Sequence, residues 1–331
     1  MARIAQFHQL SILSVYEELP NGAFFSNPLV FIINKNKKTE NYKLIFDHIK
    51  SMTIKPENLG QTFSPTLIHV DFELSQKNGI LQVFPDVEIL HCFFHYTQSI
   101  RRNLCVRGFK KKLDYNGPES CPIFQEFFAL LCGVASVQLD TPLIKEKVNE
   151  ILLDYKEKIP FTRGQKAEFE MFLEYFKKFY LKDDAIFPHK TWNMWNNILL
   201  GPENFSRTTN VSESVHSQLN KLFTGRNCCL NLLKNLSQFK GNKMSESAAV
   251  TYQKVNGCIV QPSKKRKQNN SDRVRLLNIY NIVHGFCRLD IEEKILGLKE
   301  FLIRVGSQRR NFFERAPVFV DTILDENLDS P

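Results

Sequence analysis

The sequence predicts an α/β layer fold interrupted by a helical block, and three observations carry that reading. Residues 9–104 alternate short apolar runs with amphipathic stretches in the order β-β-α-β-α-β-α, the signature of strand–helix layering with parallel pairing. Residues 120–182 space their apolar side chains at helical intervals throughout. Hydrophobic residues make up 43% and charged residues 24% of the 331 positions, which excludes a wholly disordered chain and leaves ample side chain for a core. With 28 phenylalanines that core is expected to be aromatic.

Each element has a local signal. Gln9 to Tyr16 alternates in part, and Phe24 to Asn34 is a second apolar run containing Pro28-Leu-Val-Phe-Ile-Ile33. The Asn21-Gly22 pair between them reads as a hairpin turn. Thr39 to Met52 places Tyr42, Ile45, Phe46 and Ile49 on one helical stripe, with Thr39 as its cap. Pro65 to Phe72 is nearly all apolar, as expected of a strand buried in a layered sheet. A helix over Leu74 to Phe84, a strand over Val87 to Phe94 and a helix over His95 to Leu104 complete this part.

The helical block follows. Its stripes are Phe124, Phe127, Phe128 and Leu131, then Val148, Ile151, Leu152 and Tyr155, then Phe169, Phe172, Phe176 and Phe179; Thr141-Pro142 marks a helix start. An aromatic stripe at this spacing is read as core rather than as a cofactor box. Trp192 and Trp195 precede a loop at Gly201-Pro-Glu-Asn204, and Val211 to Phe223 reads as a further helix. Helical patterns return near 273–284 and 290–305, and the tail from Asp325 to Pro331 reads as loose. The organisation is therefore 1–112 for the layered core, 113–190 for the helical insertion and 191–225 for the end of the core. Residues 226–261 form a helical extension, 262–272 a basic linker and 273–331 a C-terminal helical region.

Lys and Arg total 44 against 35 acidic residues, a net charge of +9, which suits a polyanionic partner. The eight cysteines are irregularly spaced in a long chain, unlike a secreted disulfide framework, and no leader-like segment opens the sequence. The longest apolar run, Phe127 to Val137, is about half a membrane span. An intracellular protein with reduced thiols and no membrane partner is the expectation.

Four groups could carry chemistry. Asp71 closes an apolar strand, where sheet proteins place functional carboxylates, and equally precedes a helix it could cap. Asn210-Val-Ser-Glu213 is a capping-box-like start, yet Glu213, His216 and Asn220 share one helix face and could aim a carboxylate at a metal. Mg²⁺ is satisfied by one or two carboxylates plus substrate phosphates, so Asp71 and Glu213 could share an ion. Cys92-Phe-Phe-His95 has the spacing of half a zinc site or of a buried thiol beside an orienting histidine. Arg101, Arg102, Arg107, Lys110, Lys111 and Lys112 form a basic run that reads either as phosphate contacts or as solvated charge. Lys264, Lys265, Arg266 and Lys267 form a second cluster, a nuclear-import candidate.

Together these pieces resemble the core of Mutator-like element (MULE) transposases. The resemblance rests on Pro65-Thr-Leu-Ile-His-Val-Asp71-Phe-Glu-Leu, Phe84-Pro85 and His91-Cys92-Phe-Phe-His95-Tyr-Thr-Gln98. Lys38-Thr39-Glu40 with Tyr42 and Phe46, Trp192, and Arg207-Thr-Thr-Asn210-Val-Ser-Glu213-Ser-Val-His216 extend it over about residues 9–225. It implies an RNase H-like mixed sheet with a helical insertion before the last acid. It also implies a DDE nuclease and strand transferase using Mg²⁺ or Mn²⁺ on transposon-end DNA, a nuclear location and a possible homo-oligomer. Asp71 would be the second acid and Glu213 the third, both metal ligands; Cys92, His95 and His216 would shape the site, and Arg207 would join the basic run on DNA.

One departure is expected to matter. The family's first Asp lies in an Asp-Gly-Thr-Phe-like motif on a strand before the segment similar to Gln9-Leu10, whereas this sequence has no acid before Glu17. No N-terminal zinc-binding DNA-recognition segment is seen either. The first strand is thus expected to be missing and catalysis impaired. The alternative is a non-catalytic, transposase-derived DNA-binding or regulatory protein.

Overall fold

Gln9–Glu18 (β1) and Phe24–Asn34 (β2) pair antiparallel, with the register slipping between Leu13 and Ser14. Ser14 lies opposite Pro28, and proline, which has no N–H for a ladder, is tolerated at such an irregularity. These strands belong to a computed structural model that describes residues 9–18, 24–34, 36–52, 63–201, 234, 236–239, 241–242 and 270–310. The predicted hairpin turn, the Val211–Phe223 helix, the 262–269 part of the linker and the 325–331 tail lie outside the described residues.

The expected order is present: β1 and β2 are followed by Thr39–Met52 (α1), Leu67–Val70 (β3), Leu74–Val83 (α2), Glu88–His91 (β4) and Phe93–Leu104 (α3). β3 and β4 pair in parallel, Leu67 opposite Glu88 through Val70 opposite His91. Several details differ from expectation. Among the described residues the strands form two separate pairs rather than one sheet. β3 is four residues long, Leu67 is exposed and only Val70 is buried, so it lacks the two covered faces that its apolar run implied. The Lys38 carbonyl accepts from the Asn41 and Tyr42 amides, so Thr39 is the first helical residue of α1 and not its cap. Finally, α3 starts at Phe93, with Cys92 at its N-cap and His95 in its first turn.

The layered part has a small core of its own: Phe46 and Ile49 of α1, Val70 of β3, Ile80 and Val83 of α2, Phe84 and Val87 between α2 and β4, and Ile89 of β4, with Leu13 of β1 and Ile32 of β2 packed against it. The larger core is helical. Pro122–Val134 (α4) is apolar on nearly every face and is accordingly its buried centre. Around it lie Pro142–Lys158 (α5), Arg163–Phe176 (α6), Trp195–Leu199 (α7), Asn270–Cys287 (α8) and Ile291–Arg310 (α9).

Local signals set these boundaries. Pro142 opens α5 behind Thr141, as predicted. Thr162 and Gln165 form a reciprocal capping box on α6, with bonds of 3.3 and 3.2 Å. α8 starts at Asn270, inside the stretch read as linker: a polar first turn carries no apolar period and so resembles a loop. Phe93, Tyr96, Ile100 and Leu104 of α3 belong to the helical core, so α3 joins the two parts. No described helix is long and apolar enough to cross a membrane, and none of Cys92, Cys105, Cys121, Cys132 and Cys287 is in a disulfide.

Candidate functional site

Asp71 ends β3, and its side chain is 52% exposed. Its carboxylate does not cap α2; the N-cap residue there is Glu73, without a side-chain capping bond. The Asp71 carboxylate instead faces His95, with Nδ1 3.0 Å from Oδ1. The contact is off the line of a hydrogen bond, so charge carries it. Burial favours neutral imidazole, but Asp71 and the Cys92 sulfur outweigh it and push the pKa of His95 up to about 10. At neutral pH the pair is therefore imidazolium and carboxylate.

The Cys92–His95 spacing now has a local cause. The N-cap and the third helical residue of α3 lie side by side, as in a capping box, so the thiol and the imidazole meet across the first turn. His95 thus has Asp71 against its Nδ1 and the Cys92 sulfur across the turn.

The Asp71 backbone is fixed as well. The His91 Nδ1–H donates to the Asp71 carbonyl oxygen at 2.8 Å. His91 is 1% exposed, its Nε2 has no partner, and its ring stacks on Phe72 at 4.6 Å with Phe187 edge-on at 5.0 Å. Burial drives its pKa down to about 4, against the pull of its bond to Asp71. Since the folded pKa lies below the unfolded value near 6.5, stability is complete above pH 6.5 and falls as pH drops toward 4. The loss is about 3 kcal/mol, from the size of the shift. Denaturant titrations at pH 7 and 4.5 should show it. His91→Asn, which keeps a donor for the Asp71 carbonyl, should be less stable at pH 7 but largely lose the slope; an unchanged slope would refute the assignment.

Glu73 is occupied: Tyr42 Oη donates to its Oε1 at 2.7 Å and Lys37 pairs with Oε2 at 3.5 Å. Burial and that carboxylate push the Tyr42 hydroxyl far up, so it stays a donor. Phe72 faces the helical block, 4.9 Å from Phe187 and 6.0 Å from Tyr180. Tyr96 stacks on Trp192 at 4.6 Å, and the Trp192 indole donates to the Phe187 carbonyl.

As a metal ligand Asp71 has the right chemistry: a hard, half-exposed oxygen at a strand end. It is one ligand. Among the described residues no group of three or more His, Cys, Asp or Glu side chains could hold an ion. Glu213, Arg207, His216 and the Lys264, Lys265, Arg266 and Lys267 cluster lie outside the described residues.

The basic run is split by a π turn at Cys105–Phe109, where Gly108 takes a positive φ of 86°. Arg107 is committed inward to Asn103 and Glu168, and Lys111 pairs with Glu119. Arg102 and Lys110 are exposed, while Arg101 and Lys112 are half-buried. The sequence reading missed the Tyr42–Glu73 bond and His91 as the support of the Asp71 backbone. A histidine inside the apolar stretch Ile89-Leu90-His91-Cys92 was the available signal for the second.

The MULE transposase domain model matches residues 21–99, bearing out the resemblance over that segment and marking the chain as a relative of the family there. The match covers well under half the chain; it includes Asp71, His91, Cys92 and His95 and stops short of Glu213. No curated protein and no solved structure matches.

Proposed function

We propose that this chain is a transposase relative whose Asp71 is an acid of a DDE-type site acting on DNA, with Glu213 as its partner and Mg²⁺ or Mn²⁺ as the ion. One observation carries the reading: within the matched segment, a half-exposed carboxylate at a strand end is gripped by a protonated His95 while His91 holds its backbone. A bound divalent ion would polarise the phosphodiester and acidify its water. The protein's part is positional: His91 fixes the strand end, and His95 holds the carboxylate in one orientation until an ion competes for it. An RNase H-like arrangement of the strands, transposon-end DNA as substrate, a homo-oligomer on paired ends and nuclear import through Lys264 to Lys267 belong to the same reading.

Mn²⁺ affinity of the full chain tests it. Asp71→Asn and Glu213→Gln should each weaken binding by at least about tenfold, the scale on which even the surroundings of a metal ligand act. Unchanged binding in both would overturn the reading. A DNA-binding role without cleavage is the second reading, since the net charge of +9 suits a polyanionic partner. A chain that binds duplex DNA but does not nick plasmid in Mn²⁺ would favour it, since cleavage needs every acid and binding needs none.

A further inference from the structure

Resting on the proposed reading of Asp71 as a metal ligand, we infer that Tyr42 of α1, acting through Glu73, is a positioning residue for Asp71: it fixes the turn that presents the Asp71 carboxylate to a divalent ion.

The N-cap of α2 holds an unusual residue. Ser, Thr, Asp and Asn are favoured at such positions because a short side chain reaches the first free amides of the helix. Glu73 stands there instead, and its side chain makes no capping bond. It turns to α1: Tyr42 Oη donates to Oε1 at 2.7 Å, and Lys37, just before α1, lies 3.5 Å from Oε2. The lysine contact is half-exposed and screened by solvent, so the hydroxyl is the stronger tie. Tyr42 is 2% exposed, so it reaches Glu73 from within the packing of α1 on α2. Gly79 of α2 is what lets the two helices come so close. A Cβ there would lie 2.5 Å from Tyr42 Cβ and 2.9 Å from the Lys43 backbone nitrogen, both too near for any other residue.

Glu73 passes this constraint to Asp71 through the backbone. Its amide donates to the Asp71 carbonyl oxygen at 2.8 Å, the same oxygen that accepts from His91 Nδ1 at 2.8 Å. Residues 71–73 therefore form a tight turn whose side chains go to different elements. Asp71 faces His95 of α3, Phe72 packs against Phe187 of the helical block and Glu73 is tied to α1. A strand end anchored on three sides has little freedom to rotate, which is what a carboxylate needs to meet an ion in one geometry. Both Glu73 carboxylate oxygens have protein partners, and its side chain is 20% exposed against 52% for Asp71. Its part is to hold the turn, while Asp71 faces outward.

The experiment measures Mn²⁺ affinity of the full chain by isothermal titration calorimetry, with thermal unfolding of each variant followed in parallel so that affinity is read on folded protein. Tyr42→Phe keeps the buried ring and loses the donor; Glu73→Ala loses the acceptor; Glu73→Gln still accepts from Tyr42. Tyr42→Phe and Glu73→Ala should each weaken binding by about tenfold, the lower end of the effect of groups that orient a metal ligand. Glu73→Gln should bind as the wild type does, and the double variant Tyr42→Phe/Glu73→Ala should be no weaker than either single one, because both remove one interaction. Tyr42→Phe binding as tightly as wild type while Asp71→Asn loses affinity overturns the positioning role and leaves the Asp71 reading standing. Loss in Glu73→Gln with none in Tyr42→Phe would make Glu73 a ligand and also overturns it. Should Tyr42→Phe fail to fold, Glu73→Ala against Glu73→Gln decides: loss in the first alone supports the role, and loss in both or in neither refutes it. If neither Asp71→Asn nor Glu213→Gln weakens binding, the Asp71 reading falls and takes this inference with it.

Discussion

Gly306→Ala is expected to destabilise the protein by about 3 kcal/mol or more, although the same change in an open helix stabilises. The reason is the crossing of α4 and α9. A Cβ on Gly306 would overlap the Ala129 carbonyl oxygen, and a Cβ on Gly133 would overlap the Leu302 carbonyl oxygen. Both obstacles are backbone, so no side-chain rotation relieves them and the helices must separate. Overpacking of this kind costs about 1–3 kcal/mol and sometimes more. The helix-propensity gain of alanine over glycine is only about 1 kcal/mol, so the collision wins. Gly297→Ala, elsewhere on α9 with nothing within 4 Å of its added Cβ, should show that gain alone. Equal stabilities of Gly306→Ala and Gly297→Ala in urea would mean that α9 does not lie against α4. Gly133→Ala should combine with Gly306→Ala to less than the sum, because once the helices have parted the second methyl meets an opened gap.

How much of this was legible in the sequence depends on the distance over which each signal acts. α1 and the Pro142 start of α5 are legible to the residue, and α6 as its stripe Phe169, Phe172 and Phe176, because such stripes repeat within a single element. The start of α3 was misplaced by two residues: Phe93 and Phe94 fit a strand and a helix equally well, and the helical pairing of Cys92 with His95 shows only in space. β3 read as a fully buried strand because its residues are apolar, but burial is set by what lies beside it, and Leu67 remains exposed. The family resemblance reached Asp71 because motif spacing is local, and residues 21–99 uphold it. It could not reveal what holds Asp71, since His91 and Asp71 are 20 positions apart.

Trp192→Ala should be the costliest single truncation near the site, about 3–5 kcal/mol by the usual scale for buried aromatics. Trp192 is fully buried and stacks on Tyr96, whose hydroxyl donates to the Leu131 carbonyl of α4 at 2.9 Å. Its indole N–H satisfies the Phe187 carbonyl at 2.8 Å, and the Phe187 ring in turn packs edge-on against both His91 and Phe72. Removing Trp192 therefore does two things: it opens a cavity at the centre of the helical core, and it orphans a buried carbonyl in the segment that closes over His91. Trp192→Phe separates them. It keeps most of the stacking and loses the N–H, so it should cost about 1–3 kcal/mol, the penalty of an unsatisfied buried acceptor. Thermal unfolding followed by near-ultraviolet circular dichroism reads the order directly: wild type above Trp192→Phe above Trp192→Ala. Because Phe187 is the contact between this core and His91, Trp192→Phe should also raise the pKa of His91 toward the ordinary value, as loosening of the segment admits water to the ring. An imidazole titration near 4 that is untouched by Trp192→Phe would mean that the layered part holds His91 on its own, through Phe72 and the Asp71 carbonyl.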